Sequence, residues 1–329
     1  MKLATLDNNT LDGQLIVVSK DQTKAVEASS IAPNLITAVR SWDKVKGALE
    51  SLYTELNEGK VEKAFAFDAV KCKAPLPIAP QWCDGSAFLN HGNLMEKAFN
   101  IDPIADKETI PLMYQGASDD LLSAREDIPF RSSKEGIDFE GEFGVIVAEV
   151  PMNCDVNMAS SKIILLTQIN DWSLRVLAPR EMKTGFGFFQ SKPSCSFAPI
   201  VITPNEIGEA WDKGRVQLDL HVLYNDQPFG HANGREMNFS FEQLICHAAA
   251  TRKLKAGTII GSGTVSSVNC NQVGSSCIAE KRVLEMLSNG VSTTPFMEDG
   301  DRVTMYATIP GQKETPFGTI DQQVRVIGS

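Results

Sequence analysis

The sequence predicts an α+β fold dominated by strands, and three observations carry that expectation. Short apolar runs bounded by turn residues recur along the chain, among them "FGVIVAEV", "KIILLTQIND", "FAPIVITP", "VQLDLHVLYND", "TIIGSGTV" and "RVTMYATIPG". Helical periodicity is confined to a few stretches. Helices and strands do not alternate regularly, which argues against βαβ units and a doubly wound parallel sheet.

The 329 residues suffice for one large domain with a smaller one attached, and 43% hydrophobic with 22% charged residues is an ordinary globular composition. The N-terminus reads as a hairpin, "KLATL" and "GQLIVVSKD" around an Asn/Asp-rich turn, where a secretion signal would carry a basic then apolar leader. A cytoplasmic location is the resulting expectation. In "SWDKVKGALESLYTELNEGK", residues Trp42, Val45, Leu49, Leu52, Tyr53 and Leu56 recur at three and four, with Ser41 placed to cap the helix and Gly59 to end it. The stretch "KCKAPLPIAP" then sets three prolines within six positions and breaks regular structure. It suggests a boundary: a small β-rich domain with one helix over residues 1–72, and a catalytic domain over 73–329. Two further amphipathic helices are expected within the larger part, around "HGNLMEKAFN" and "SFEQLICHAAATRKL". Internal repeats, low-complexity tracts and apolar runs of membrane-spanning length are lacking.

A formal net charge of −10 argues against nucleic acid or an anionic membrane as partner, since both require a basic surface. The seven cysteines contain no CxxC pair, and His91, His221, His231 and His247 are scattered, so reduced thiols are expected and a zinc cluster is not. The ligands present in quantity are carboxylates, which suit a hard divalent cation, Mg²⁺, Ca²⁺ or Mn²⁺.

Three acidic stretches stand out. In "GIDFEGEFGVIV", read as one strand, Asp138, Glu140 and Glu142 share a face, and a face of three like charges must meet water or hold a cation. "WCDGSAFLNHGN" offers Asp84 with His91 seven residues on, and "TQINDWSLR" ends an apolar run with Asn170 and Asp171. Each has a plain structural alternative. Asp84 before Gly85 suits a turn, the two glutamates suit a solvated edge, Asp171 could cap a helix starting at Trp172, and Lys192 in "FFQSKPSCSF" could be a surface charge. On the residues alone both readings stay open.

Order and spacing together resemble the fumarylacetoacetate hydrolase family over roughly residues 72–329. The carriers are Asp84 seven residues before His91, the Glu-x-Glu of "FEGEFGV", the Asn-Asp-Trp-Ser-x-Arg of "NDWSLR", the lysine of "FFQSKPSCSF", the "PLMYQG" segment, the loop "IIGSGTVSS" and the late "EDGDRVTMYATIPG". The resemblance implies a mixed β-sandwich roll as catalytic domain, a divalent metal held by Asp84, Glu140, Glu142 and Asp171, and a homodimer. It places His91 as general base with Lys192 beside it, and makes Glu280 in "SSCIAEKR" the nearest candidate to pair with His91. Tyr114, Arg175 and Thr264 become substrate contacts, and Asp138 falls outside the matched set, at the rim or in solvent.

The activity this implies is hydrolysis of a carbon–carbon bond in a small 1,3-diketo acid, foremost fumarylacetoacetate in tyrosine breakdown. Acylpyruvate hydrolysis, or a 2-oxo acid decarboxylase, hydratase or isomerase in the same metal site, is the alternative; a structural metal protein is a third, disfavoured by His91 and Lys192. Some positions depart from the family pattern. "VLAPREM" lacks the Gln and Tyr that contact substrate in the fumarylacetoacetase branch, and "HGNLMEKAFN" offers only Lys97 where that branch has an arginine. Leu94 stands three residues after His91, where the acylpyruvase and decarboxylase branch often carries a glutamate.

Overall fold

The expected N-terminal hairpin forms from Lys2–Leu6 and Gln14–Val18, paired antiparallel, in a computed structural model that describes residues 1–99 and 102–328. Successive side chains in a strand point to opposite faces, and here both faces are buried: Leu3, Leu15 and Val17 enter one core, Ala4, Ile16 and Val18 another. Two buried faces require two covering layers.

The first strand also pairs antiparallel with Ile200–Ile202, which draws the N-terminal segment into one sheet of eleven strands. In spatial order these are Phe65–Ala66, Lys24–Glu27, Gln14–Val18, Lys2–Leu6, Ile200–Ile202, Ile163–Asn170, Gly141–Val147, Ile259–Gly261, Trp82–Gly85 and Met113–Gly116, with Ser196–Phe197 also paired to Ile163–Asn170. The division expected at residue 72 therefore does not divide the sheet, and Cys72 itself is bridged to Leu6.

Helices Leu35–Arg40 and Trp42–Asn57 contribute Leu35, Val39, Trp42, Leu49 and Leu56 to the core on one face. A five-stranded sheet, Gln227–Asn233, Asp219–Tyr224, Arg302–Thr308, Thr319–Val326 and Ile128–Phe130, shares the core on the other. Leu220, Val222, Met305, Ile320 and Val324 meet Phe143, Val145 and Leu166 there, a sheet-on-sheet core of the kind expected.

The helices differ in detail from their sequence signals. Ser41 makes no cap bond to Trp42–Asn57 because it also ends the preceding helix, and its hydroxyl donates to the Thr37 carbonyl at 2.8 Å. The helix expected over "SFEQLICHAAATRKL" starts with a reciprocal Ser240–Gln243 capping box but spans only Phe241–Ala248. Leu254 is lost to it because its backbone exchanges both hydrogen bonds with Val150, at 2.9 and 3.0 Å. "HGNLMEKAFN" is helical over Leu89–Phe99, and Asn100 lies outside the described residues. Among the described residues, no helix is long and apolar enough to cross a membrane.

The acidic stretch is not one strand. Ile137–Asp138 pairs with Ser173–Leu174 in a separate two-stranded ribbon, while Gly141–Val147 enters the large sheet. Alternation is interrupted between them, at Phe139 and Glu140.

Candidate active site

Period-2 alternation on three strands brings the acids together. Trp82, Ile146 and Ile169 belong to the helix-covered face of the large sheet, so Asp84, Glu142 and Asp171, at even spacings from them, fall on that face too. Strand register sets them side by side: Glu142 is opposite Ile169, and Gly261 is opposite both Gly144 and Asp84. One carboxylate oxygen from each of Asp84, Glu142 and Asp171 lies within 4.8 Å of the others, and all three residues are buried. Two glycines of the "IIGSGT" loop make room. A Cβ on Gly261 would stand 2.3 Å from Asp84 Oδ1, and one on Gly263 would stand 2.4 Å from the Gly85 carbonyl, at a φ of +78°. Gly263 N–H donates to Asp84 Oδ1 at 3.0 Å.

Burial, with Asp171 close by, pushes Asp84 up to about 8. Burial and the same like-charged neighbours hold Glu142 well above the carboxylate range. Among the described residues, neither buried Glu142 oxygen has a hydrogen-bond partner. Three buried carboxylates, that of Glu142 with both oxygens unpaired, form a hard donor set, and a divalent cation such as Mg²⁺, Ca²⁺ or Mn²⁺ fits it.

Glu140, expected as a fourth ligand, stands outside this cluster. Its Oε1 accepts from Arg175 Nη2 at 2.6 Å and its Oε2 from Lys192 Nζ. Burial alone would raise its pKa, but Arg175 and Lys192 hold it well below the usual range.

Asp138 requires a correction. Expected at the rim or in solvent, it is fully buried, accepts from Arg175 Nε at 2.8 Å, and accepts the N–H groups of Ile278 and Ala279 at 2.7 and 2.9 Å. The first turn of a helix leaves such donors unpaired, and a carboxylate there satisfies two at once. Asp138→Ala is expected to destabilise the protein by about 3–5 kcal/mol, because it removes the acceptor of two buried helix N–H groups and of Arg175 Nε and leaves Arg175 with Glu140 alone. Urea denaturation checks it: a loss below 1 kcal/mol would mean that Arg175 relaxes to another partner.

The helix that Asp138 secures is Ile278–Asn289, which the sequence reading did not identify, and it carries Glu280. Cys277 caps it, with Sγ accepting the Glu280 N–H at 3.4 Å. A ring nitrogen of His91, the Cys277 sulfur and a Glu280 oxygen all lie within 4.8 Å of one another. Asn90 Nδ2 and Ser266 Oγ donate to Glu280 Oε1, while Glu280 Oε2 and His91 Nδ1 are buried without partners. Burial raises Glu280 to about 7 and lowers His91 to about 4. The His91 Nε2 is 3.8 Å from Glu140 Oε1, yet Glu140 already faces two cations and has little left with which to charge the ring. His91 is therefore uncharged at neutral pH.

Lys192 Nζ also donates to Asp171 Oδ2 at 2.5 Å; Asp171 and Glu140 raise its pKa against burial and keep it charged. Tyr114 donates its hydroxyl to both Asp171 oxygens, at 2.9 and 2.8 Å, so its polar tip is engaged with an acid of the cluster. The Cys195 thiol donates to Asp171 Oδ1 at 2.9 Å, a contact that no sequence pattern indicates.

Asp84, His91, Tyr114, Glu140, Arg175, Lys192 and Thr264 line one cavity of about 380 Å³. Ala178 and Met182 stand on its wall where the sequence lacks Gln and Tyr, which makes that wall apolar. Lys97 is exposed, and the additional lining cation is Lys107, held by Asn93 at 2.7 Å and Glu96 at 2.6 Å. Sequence reasoning had no signal for Lys107, which a non-periodic segment brings to the cavity.

A family model described as fumarylacetoacetate (FAA) hydrolase, C-terminal, matches residues 81–325. The chain belongs to the fumarylacetoacetate hydrolase family. Residues 1–78 match a second model of this lineage, fumarylacetoacetase N-terminal domain 2. Among curated relatives, oxaloacetate tautomerase YisK of Bacillus subtilis is 22% identical over 324 residues, 95% of this chain and 93% of that protein. Fumarylacetoacetase of Arabidopsis thaliana is 24% identical over 254 residues, covering 64% of this chain and 60% of that protein. Two solved structures share the fold over 99% of both chains. Maleylpyruvate hydrolase from Sphingobium sp. SYK-6, in complex with manganese(II) and pyruvate, has a TM-score of 0.63 at 17% identity. Fumarylacetoacetate hydrolase from Exiguobacterium antarcticum has a TM-score of 0.65 at 16%. Fumarylacetoacetate hydrolase family relatives thus include hydrolases and a tautomerase, and the family is one of enzymes.

Proposed function

We propose that this chain is a metal-dependent hydrolase that cleaves a carbon–carbon bond in a 1,3-diketo acid, with fumarylacetoacetate as substrate and fumarate and acetoacetate as products. The observation that carries the reading is the uncharged His91 beside Glu280, in one cavity with Asp84 of the three-acid cluster. A reaction that consumes water needs such a base, and one that only moves a proton within the substrate does not need water activated.

Asp84, Glu142 and Asp171 would hold the cation, which when bound polarises a chelated carbonyl. His91 takes a proton from water as the water oxygen adds to that carbonyl carbon. Glu280, with an oxygen within 4.8 Å of a ring nitrogen, is placed to orient the ring and to favour its charged form as it takes that proton. Collapse of the adduct breaks the carbon–carbon bond, the electron pair leaves on the carbon fragment, and the proton on His91 passes to that carbon. Lys192 and Arg175, both in the cavity wall, stabilise the negative charge that develops.

A second reading, tautomerisation or isomerisation of a 2-oxo acid, draws on the relatives named above. It is disfavoured by Leu94, which is buried against Cys270 and Val283 and leaves that turn of the His91 helix without an acid. Both readings meet one experiment. Manganese-loaded protein is incubated with fumarylacetoacetate, fumarylpyruvate, acetylpyruvate and oxaloacetate, and products are identified by mass. Cleavage of fumarylacetoacetate as the best substrate is expected. Enolisation of oxaloacetate without cleavage of any diketo acid would overturn the hydrolase reading in favour of the second.

A further inference from the structure

We propose that His91, Cys277 and Glu280 form a second metal site, selective for a borderline transition ion such as Zn²⁺, and that filling it stops the enzyme by sequestering its base. One nitrogen, one sulfur and one carboxylate oxygen lie within 4.8 Å of one another, each on a buried residue. A tetrahedral ion with bonds of about 2.0–2.3 Å holds its ligand atoms roughly 3.5 Å apart, so the three need only close on the ion by small side-chain rotations. Two of the atoms present lack hydrogen-bond partners, His91 Nδ1 and Glu280 Oε2, the latter on a residue with 0% exposure. A group buried without a partner is costly, and an ion between them would satisfy both.

Ligand chemistry separates this cluster from the carboxylate one. Asp84, Glu142 and Asp171 offer only hard oxygens, whereas imidazole and thiolate select Zn²⁺ or Co²⁺ over Mg²⁺ and Mn²⁺. Three protein ligands leave a fourth position, which opens towards the cavity because His91 lines it. Burial holds the Cys277 thiol protonated, so binding forms a metal–sulfur bond and releases the thiol proton to solvent. The inhibitory half of the proposal rests on His91 as the base of the reaction proposed above; the metal site does not.

The test begins with protein preloaded with Mn²⁺, which fills the hard site, and titrates in Co²⁺. A thiolate-to-cobalt charge-transfer band in the near ultraviolet is expected, and Cys277→Ser is expected to abolish it. Serine is a preferred helix cap, so the variant keeps the Ile278–Asn289 helix. Cys270, packed against Leu94 and Val283, and Cys195, beside Asp171, are other thiols of this region, which is why the variant and not the band alone decides. In the same variant the Zn²⁺ concentration that halves activity, relative to its own uninhibited rate, should rise about tenfold or more. Zinc X-ray absorption of the unmodified protein gives an independent reading, a sulfur shell at about 2.3 Å. Absence of the band and of that shell overturns the site, as does a band that survives Cys277→Ser. Zinc inhibition unchanged by the substitution overturns the inhibitory role. If no substrate is turned over, the cobalt spectrum still decides the site, so the two readings fail separately.

Discussion

His91→Ala is expected to lower turnover of fumarylacetoacetate by about 10²–10⁴-fold, the usual contribution of a positioned general base, with fold and manganese content unchanged. The loss is large because the charged and hydroxyl groups that share the cavity wall with His91 are already engaged. Lys192 is kept charged by Asp171 and Glu140, Tyr114 has its hydroxyl on Asp171, and Glu140 is tied to two cations. The fold survives for a local reason. Among the described residues His91 Nδ1 has no hydrogen-bond partner to lose, and the ring lines the cavity. Steady-state kinetics, circular dichroism and manganese titration of the one variant separate these effects. Near-normal kcat would remove His91 as the base, whereas a lost fold or lost metal would assign it a structural part.

How much of this site was legible in the sequence depends on distance along the chain. On the residues alone Asp84, Glu142 and Asp171 stayed open between a structural and a metal-binding part; the family resemblance singled them out, and the structure brings those acids to one face. Asp138 was misread because alternation assumes one continuous strand, and the chain changes sheets at Phe139 and Glu140. Its burial could not be foreseen from its neighbours: the partners that make burial tolerable, Arg175 and the start of the Ile278–Asn289 helix, lie far away in sequence. The same holds for Glu280, whose place beside His91 depends on a helix with a cysteine cap, a weak N-terminal signal. The break in periodicity at "KCKAPLPIAP" was legible, but the large sheet runs across it. What periodicity does not carry is strand pairing, so the antiparallel match of Lys2–Leu6 to Ile200–Ile202 had no local signal.

Glu142→Gln is expected to move stability in opposite directions with and without metal. In chelator the carboxylate stands buried against Asp84 and Asp171 with both oxygens unpartnered, and burial and those neighbours hold its pKa well above the usual range. A neutral amide of nearly the same shape removes the cost of burying an ionisable group beside two other acids and offers two donors to them. Metal-free Glu142→Gln should therefore be more stable than the unmodified protein by about 1–3 kcal/mol, and each kcal/mol raises Tm by roughly 2–4 °C in a large domain. With Mn²⁺ present the order inverts. Losing an outer-shell partner already costs about 10–100-fold in metal affinity, and losing one of three charged ligands should cost at least as much. The unmodified protein gains about 2.7 kcal/mol when free metal is at 100 times its Kd, and the variant forfeits most of that gain. Scanning calorimetry in chelator and across a manganese series should thus give two Tm curves that cross. Curves that do not cross would show Glu142 to be satisfied by protein donors and would leave Asp84 and Asp171 too few to hold the ion.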